Sequence, residues 1–216
     1  MNKKVLVLAA HPDDETLGLG GTISKLSDEG CYIKLMTFTD GLSARGPTTK
    51  NRNDKLDAVC GILGIDDYCF ANYPDNRMDI ISLLDKCKFI EKNIDFDPDI
   101  IFTHHPGCLN IDHELVYRAT ITVFRPQTFK KMDIMSYYVP SSTDYNPMNN
   151  FRSDVYHCLE KQHVEKKMEA LKIYHNEMRE YPHSRSYENA LNRMKVDGST
   201  IGCEHAEAFQ LIRRVL

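Results

Sequence analysis

Two stretches hold the side chains best suited to chemistry: His11-Pro12-Asp13-Asp14-Glu15 near the start, and His104-His105-Pro106 running on to Asn110-Ile111-Asp112-His113 near the middle. Imidazole and carboxylate are the ligands that zinc takes, and a catalytic zinc site uses three protein ligands plus an open position for water. His11 and Asp14, three residues apart at a strand-to-helix corner, can share one side of a first helical turn. His113, at the head of another helix, can supply the third ligand. Asp13 is then left beside the site as a general base. Each fragment also has a plainer reading. Asp13, Asp14 and Glu15 favour a helix's first turn through its dipole, and His11 can be a hydrogen-bonded structural residue. His104 and His105 read equally as a strand end entering a turn, and spacing alone favours Asp112 as an N-cap. The balance shifts because both fragments fall at the same predicted sheet edge.

Short apolar runs precede each fragment, residues 5–10 before the first and 100–103 before the second, and both read as buried strands. Ligands gather beyond the carboxyl ends of strands in open α/β sheets, where chain-distant loops can converge. Further strands are expected over 33–38, 68–71 and 134–139. Helices are expected over 12–29, with Gly30 closing the first, and over 52–63, capped by Gly64. Others are expected over 78–93, with Ile81, Leu84, Cys87 and Ile94 near one face, over 114–124 and over 157–174. A short helix and a final segment 206–216 complete the pattern. Gly18, Gly20 and Gly21 weaken the first helix, and close packing on the sheet would be a reason to keep them. Residues 140–150, rich in Ser, Asn, Asp and Pro, form a loop long enough to suggest function. Alternating strands and helices imply a mainly parallel α/β sheet, and no repeat or linker divides residues 1–216, so a single domain is expected.

With 42% hydrophobic and 27% charged residues the composition is that of a globular protein. A net charge of −4 argues against nucleic acid as partner, and no apolar run is long enough to span a bilayer. Nothing resembles a signal peptide. Seven cysteines without a CxxC pair suit reduced thiols, so a cytoplasmic location is expected.

The unbroken His11-Pro12-Asp13-Asp14-Glu15 and the segment His104 to His113 resemble the two motifs of the PIG-L/LmbE family of zinc-dependent N-acetyl-amino-sugar deacetylases. Supporting similarity runs through Thr39-Asp40-Gly41, residues 137–143, Asn150-Phe151, residues 167–174, 182–186 and 206–209. The resemblance implies a Rossmann-like three-layer α/β/α sandwich. It implies zinc, or another divalent transition metal in its place, on His11, Asp14 and His113, with Asp13 activating water on the metal. Asp112 is then a candidate to orient a ligand histidine through its other ring nitrogen. Two positions depart from the family pattern. Asn110 stands where many members carry a histidine; it can donate a hydrogen bond but no titrating proton, which leaves the general acid open between Asp13 alone and His105. Cys108 stands where an aspartate is usual, and a small buried filler is the simpler reading of it.

Arg45, His183 and Arg185 lie in polar stretches where a sugar hydroxyl or a phosphate could be met, and arginine's planar fork suits such recognition; solvated surface is the alternative for each. The partner this implies is a small N-acetylated sugar or sugar conjugate, with oligomeric state left open. Two rivals stand beside the hydrolase. A metal-bound sugar-binding protein that has lost turnover through the Asn110 and Cys108 changes is one. A nucleotide-binding or oxidoreductase module on the same kind of sheet is the other, and it fares poorly because the run 18–23 lacks the third glycine and lies inside a helix, and no P-loop pattern occurs.

Overall fold

Strand β1 (Lys4–Ala9) is apolar on both sides and is covered on both sides. The computed structural model describes residues 2–39, 52–127, 131–148 and 151–215, with nothing said of the side chains of 52–54. From β1 the chain runs through α1 (Asp14–Asp28), β2 (Tyr32–Thr39), α2 (Arg52–Leu63), β3 (Asp67–Tyr73), α3 (Leu83–Asn93), β4 (Ile100–His104) and α4 (Ile111–Val123). It continues through β5 (Asp133–Tyr137), β6 (Val155–Leu159), α5 (Lys161–Ile173), α6 (Tyr187–Ile201) and β7 (His205–Arg213). The strands form one sheet in the order β3-β2-β1-β4-β5-β7-β6. The pairs from β3 to β5 are parallel, and β7 runs antiparallel to both β5 and β6.

Alternate residues of β1 feed two cores. Val5, Val7 and Ala9 pack with Leu17, Leu26, Leu56, Leu63 and Leu171 of α1, α2 and α5. Leu6 and Leu8 pack with Cys87, Ile90, Val116 and Val123 of α3 and α4. The result is the expected three-layer α/β/α sandwich. The chain steps outward from β1 to β2 and β3, then returns to place β4 on the other side of β1. The order therefore reverses between β1 and β4, and their two carboxyl-end loops flank the crevice that such a reversal opens. Those loops carry the two motifs.

Helix α1 is interrupted at Leu19, whose φ of −149° and ψ of 23° are not helical. A buried ion pair serves the backbone groups around the break. Glu207 accepts the N–H groups of Gly21 (3.1 Å) and Thr22 (2.7 Å), while Lys167 Nζ donates to the Leu17 carbonyl (2.9 Å) and to Glu207 (2.6 Å). The glycines fit the expected close packing. A Cβ on Gly18 would lie 2.4 Å from Tyr137 of β5, and one on Gly21 would lie 2.5 Å from Leu159 of β6.

Four sequence expectations need correction. The helix over 78–93 is broken: a 3-10 turn (Met78–Ile80) is followed by extended Ile81, and Ser82 caps a new helix by accepting from Asp85 N–H. The apolar face shifts accordingly to Cys87 and Ile90, and Leu84 is exposed. Buried Lys86 bridges the break by donating to the carbonyls of Met78 and Ile81. The helix over 157–174 divides into β6 and α5, because Glu160 and His163 form a reciprocal cap that starts a helix there. The C-terminal helix α6 is not short: it has 15 residues, ended by Gly202 in the left-handed conformation. The first helix begins at Asp14 rather than at residue 12.

Candidate metal centre and cleft

The turn after β1 is shaped to send two adjacent carboxylates in different directions. Asp13 has a φ of 130°, in a region L-residues rarely adopt and at a cost of about 1–3 kcal/mol. Its N–H donates to Glu15 Oε2 (3.0 Å), and its carbonyl accepts from Leu17 N–H (2.8 Å). Glu15 is wholly buried and its other oxygen accepts from Tyr174 OH at 3.1 Å, so α5 helps hold the strained corner. As a consequence Asp14 turns inward and Asp13 lines an open cavity.

His11, Asp14 and His113, a hundred residues apart in the chain, meet in one triangle. His11 Nδ1 is 3.1 Å from Asp14 Oδ2 and 3.3 Å from His113 Nε2, and Asp14 Oδ2 is 3.3 Å from His113 Nε2. Tetrahedral zinc with bonds of about 2.05 Å sets its ligand atoms about 3.3 Å apart, so the triangle matches one face of such a polyhedron. Asp14 Oδ1 is buried with no hydrogen-bond partner, an arrangement costly for a carboxylate unless a cation joins it. The residues fit a cation.

Around the triangle the second ring nitrogens are also engaged. His11 Nε2 faces Asp112 Oδ2 at 3.2 Å and Asp75 Oδ1 at 3.1 Å. These three could group around a cation of their own, but Asp112 already accepts the N–H groups of Asn76 (2.8 Å) and Met78 (3.0 Å). Asp112 therefore serves as an anchored acceptor. It is not the N-cap that spacing favoured: Asn110 caps α4, its Oδ1 accepting Asp112 N–H at 2.9 Å, because the Asp112 carboxylate is drawn towards the imidazole and the 76–78 amides. Cys108 is buried, and its Sγ lies 3.1 Å from His113 Nδ1.

Charges follow from this geometry. The Asp14 carboxyl is held well below its usual range; burial opposes that, and His113 foremost overcomes it. His11 is raised well above the ordinary imidazole value, burial being outweighed by Asp112, Asp14 and Asp75. His113 is raised to about 9, again against burial and mainly through Asp14. Burial pushes the Asp13 carboxyl up to about 8, against the pull of Arg185. A carboxyl so placed exchanges a proton near neutral pH.

The cavity beside the triangle has a volume of about 300 Å³ and is lined by His11, Asp13, Asp75, Asn76, Asn110, Ser141, Glu177, Arg179, His183 and Arg185 among others. Arg185 Nη1 pairs with Asp13 Oδ2 at 3.2 Å, and its Nε donates to Ser141 Oγ at 2.8 Å. His183 Nδ1 accepts Arg185 N–H at 3.0 Å, and its ring meets Tyr145 edge-on. Arg45 lies outside the described residues, as do Asp40, Gly41 and Asn150. His105 is buried and packs edge-on against Phe151, outside the ligand triangle.

Asp75 escaped sequence reasoning: it follows β3 and reaches His11 from a third loop, with only Pro74-Asp75 as a weak turn signal. His104, which the sequence offered both as part of the second motif and as a strand end entering a turn, accepts Ala10 N–H at 2.8 Å through Nε2 and stacks on His113 with ring centroids 3.9 Å apart, tying β4 to β1 beneath the site. Burial and His113 hold it well below the usual imidazole range, so it packs as a neutral ring.

Known proteins share this sequence pattern and architecture. A family model, PIG-L, described as GlcNAc-PI de-N-acetylase, matches residues 6–124. The chain is 29% identical over 179 residues to the uncharacterized deacetylase YaiS of Escherichia coli K12, covering 79% of this chain and 89% of that one. N,N'-diacetylchitobiose deacetylase from Pyrococcus horikoshii superposes with a TM-score of 0.74 at 21% identity, covering 97% of this chain and 84% of that one. The 4-carboxy-2-hydroxymuconate hydratase GalB from Pseudomonas putida KT2440 superposes with a TM-score of 0.72 at 17% identity, covering 99% and 98%. One fold thus hosts different reactions, and function has to be argued from the site.

Proposed function

Because the chain belongs to the PIG-L/LmbE family of N-acetyl-amino-sugar deacetylases, we propose that it is a metal-dependent amide hydrolase removing the acetyl group from an N-acetylated sugar or sugar conjugate. The observation that carries this reading is the His11–Asp14–His113 triangle with Asp13 beside it, open to a polar cavity. His11 Nδ1, Asp14 Oδ2 and His113 Nε2 would hold the cation, zinc being the metal these donors favour. When bound, such a cation lowers the pKa of water towards about 7 and polarises an acyl oxygen.

The chain's own residues supply the proton traffic. Asp13, as carboxylate, takes a proton from the attacking water as its oxygen joins the carbonyl carbon. It then returns that proton to the amide nitrogen as the C–N bond breaks, giving acetate and the free amine. Arg185 steadies the Asp13 carboxylate during the first half and is itself oriented by its Nε bond to Ser141 Oγ. Asn110 is oriented by its capping role: Oδ1 is fixed on Asp112 N–H, which leaves the Nδ2 end, bonded to Asn76 Oδ1 at 3.0 Å, on the cavity wall as a donor for the acyl oxygen. Asp112 and Asp75 keep His11 turned so that Nδ1 faces the cation. His183 and Asn76, with Arg45 in addition, would meet sugar hydroxyls.

A panel of N-acetylated sugars and sugar nucleotides, assayed for freed amine with metal content measured alongside, tests the proposal. Amine release should stop on chelation and return with added zinc. Turnover by a verified metal-free sample would overturn it, and sugar binding without any amine release would favour a binding protein.

A further inference from the structure

His113 is gripped from both sides. Its Nε2 faces Asp14 and His11, and its Nδ1 lies 3.1 Å from Cys108 Sγ. The same sulfur is 3.4 Å from Thr143 Oγ1, an oxygen that accepts Val139 N–H at 3.0 Å. The Thr143 N–H in turn donates to the Val139 carbonyl at 2.9 Å, so this hydroxyl is fixed on a closed turn after β5. All four groups are buried. A neutral imidazole carries one proton, and whichever nitrogen holds it leaves the lone pair on the other.

We propose that Cys108 is a positioning residue for His113: its sulfur accepts the Nδ1–H and its own S–H points to Thr143 Oγ1, so that the Nε2 lone pair stays aimed at the cation. The inference rests on the reading of His11, Asp14 and His113 as the metal centre. The far end of this chain of hydrogen bonds is compatible with that direction. A hydroxyl oxygen has two acceptor pairs; the Val139 amide takes one, which leaves the other for the thiol proton and the sulfur's own lone pairs for the ring. Thiol sulfur is a weak acceptor. The contact therefore orients the ring while adding less basicity to it than a carboxylate there would.

Partners of this kind contribute 10–100-fold to metal affinity, and a weak acceptor belongs at the low end. Zinc affinity of the full chain, read by competition with a chromophoric chelator, is the test. Cys108→Ser, which keeps an acceptor and a donor, should stay within about threefold of wild type, and Cys108→Ala should bind about tenfold more weakly. Thr143→Val, which removes the far acceptor, should fall between them. In proton–nitrogen spectra of the zinc-loaded protein the His113 Nδ1–H should exchange slowly with water in wild type and Cys108→Ser and faster in Cys108→Ala. A filler role predicts the opposite: the alanine variant lowers the metal-free thermal midpoint and leaves zinc affinity alone, which overturns the inference. If the alanine variant does not fold, a Thr143→Val variant that matches wild type in zinc affinity and in Nδ1–H exchange overturns it equally. A wild-type protein that binds no zinc removes the metal centre and this inference together, whereas wild-type binding with unchanged variants removes only the inference.

Discussion

Loading the centre with zinc has to expel protons. In the metal-free protein His113 stands at about 9 and His11 well above the ordinary imidazole value, each raised past the effect of burial by neighbouring carboxylates, Asp14 foremost for His113 and Asp112 for His11. The empty site therefore favours the protonated form of both rings. A nitrogen must give up its proton before it can bind a metal, so protons leave as zinc enters. The sign follows directly: a raised pKa means that the empty site favours the protonated form, so apparent affinity strengthens as pH rises until that pKa is reached. For His113 alone the two units between pH 7 and about 9 amount to about 100-fold. Titration calorimetry in buffers of different ionisation enthalpy counts the protons, and chelator competition from pH 6.5 to 9 follows the affinity. Binding that releases no proton at pH 7, with affinity flat across that range, would refute the reasoning and place the cation elsewhere.

Other consequences are read with simpler assays. Asp13→Asn should retain zinc while amine release falls by about 10²–10⁴-fold, the range for a lost general base; loss of zinc along with activity would show Asp13 to be a ligand instead. Gly18→Ala should destabilise by about 1–3 kcal/mol through overpacking, since its Cβ would lie 2.4 Å from the Tyr137 ring, and an unchanged denaturation midpoint would contradict that packing. Lys167→Met removes one partner of a wholly buried pair and leaves Glu207 uncompensated, for a loss of about 3–5 kcal/mol in denaturant unfolding; a loss under about 1 kcal/mol would mean that the break in α1 is satisfied otherwise.

The cluster of His11, Asp14 and His113 was legible because its members sit beside strong signals. His11 and Asp14 follow an apolar strand directly, and His113 opens a helix soon after another, so the sheet edge alone brings them together. Less local features were hidden. The break at Ile81 has no proline or glycine to mark it, and the apolar spacing of 78–94 continues across it; Ser82 capping Asp85 N–H decides the matter locally. His157 was read into a helix because periodicity runs on from 159 to 174, whereas pairing of residues 155–159 with β7 draws the first three residues of that expected helix into the sheet. That pairing is antiparallel and joins segments about fifty residues apart, which no local pattern reports. Asp112 and Asn110 are both good caps by type. Only the position of His11 and of the 76–78 backbone, distant in sequence, selects Asn110 for capping and frees Asp112 for the imidazole.

Anomalous scattering from zinc-loaded crystals would bear most directly on the whole account. A single zinc should lie about 2.0–2.2 Å from His11 Nδ1, Asp14 Oδ2 and His113 Nε2, with its remaining coordination directed towards Asp13 and the cavity. Zinc held on the opposite face of His11 by Asp75 and Asp112, or closed off by a fourth protein ligand, would contradict it.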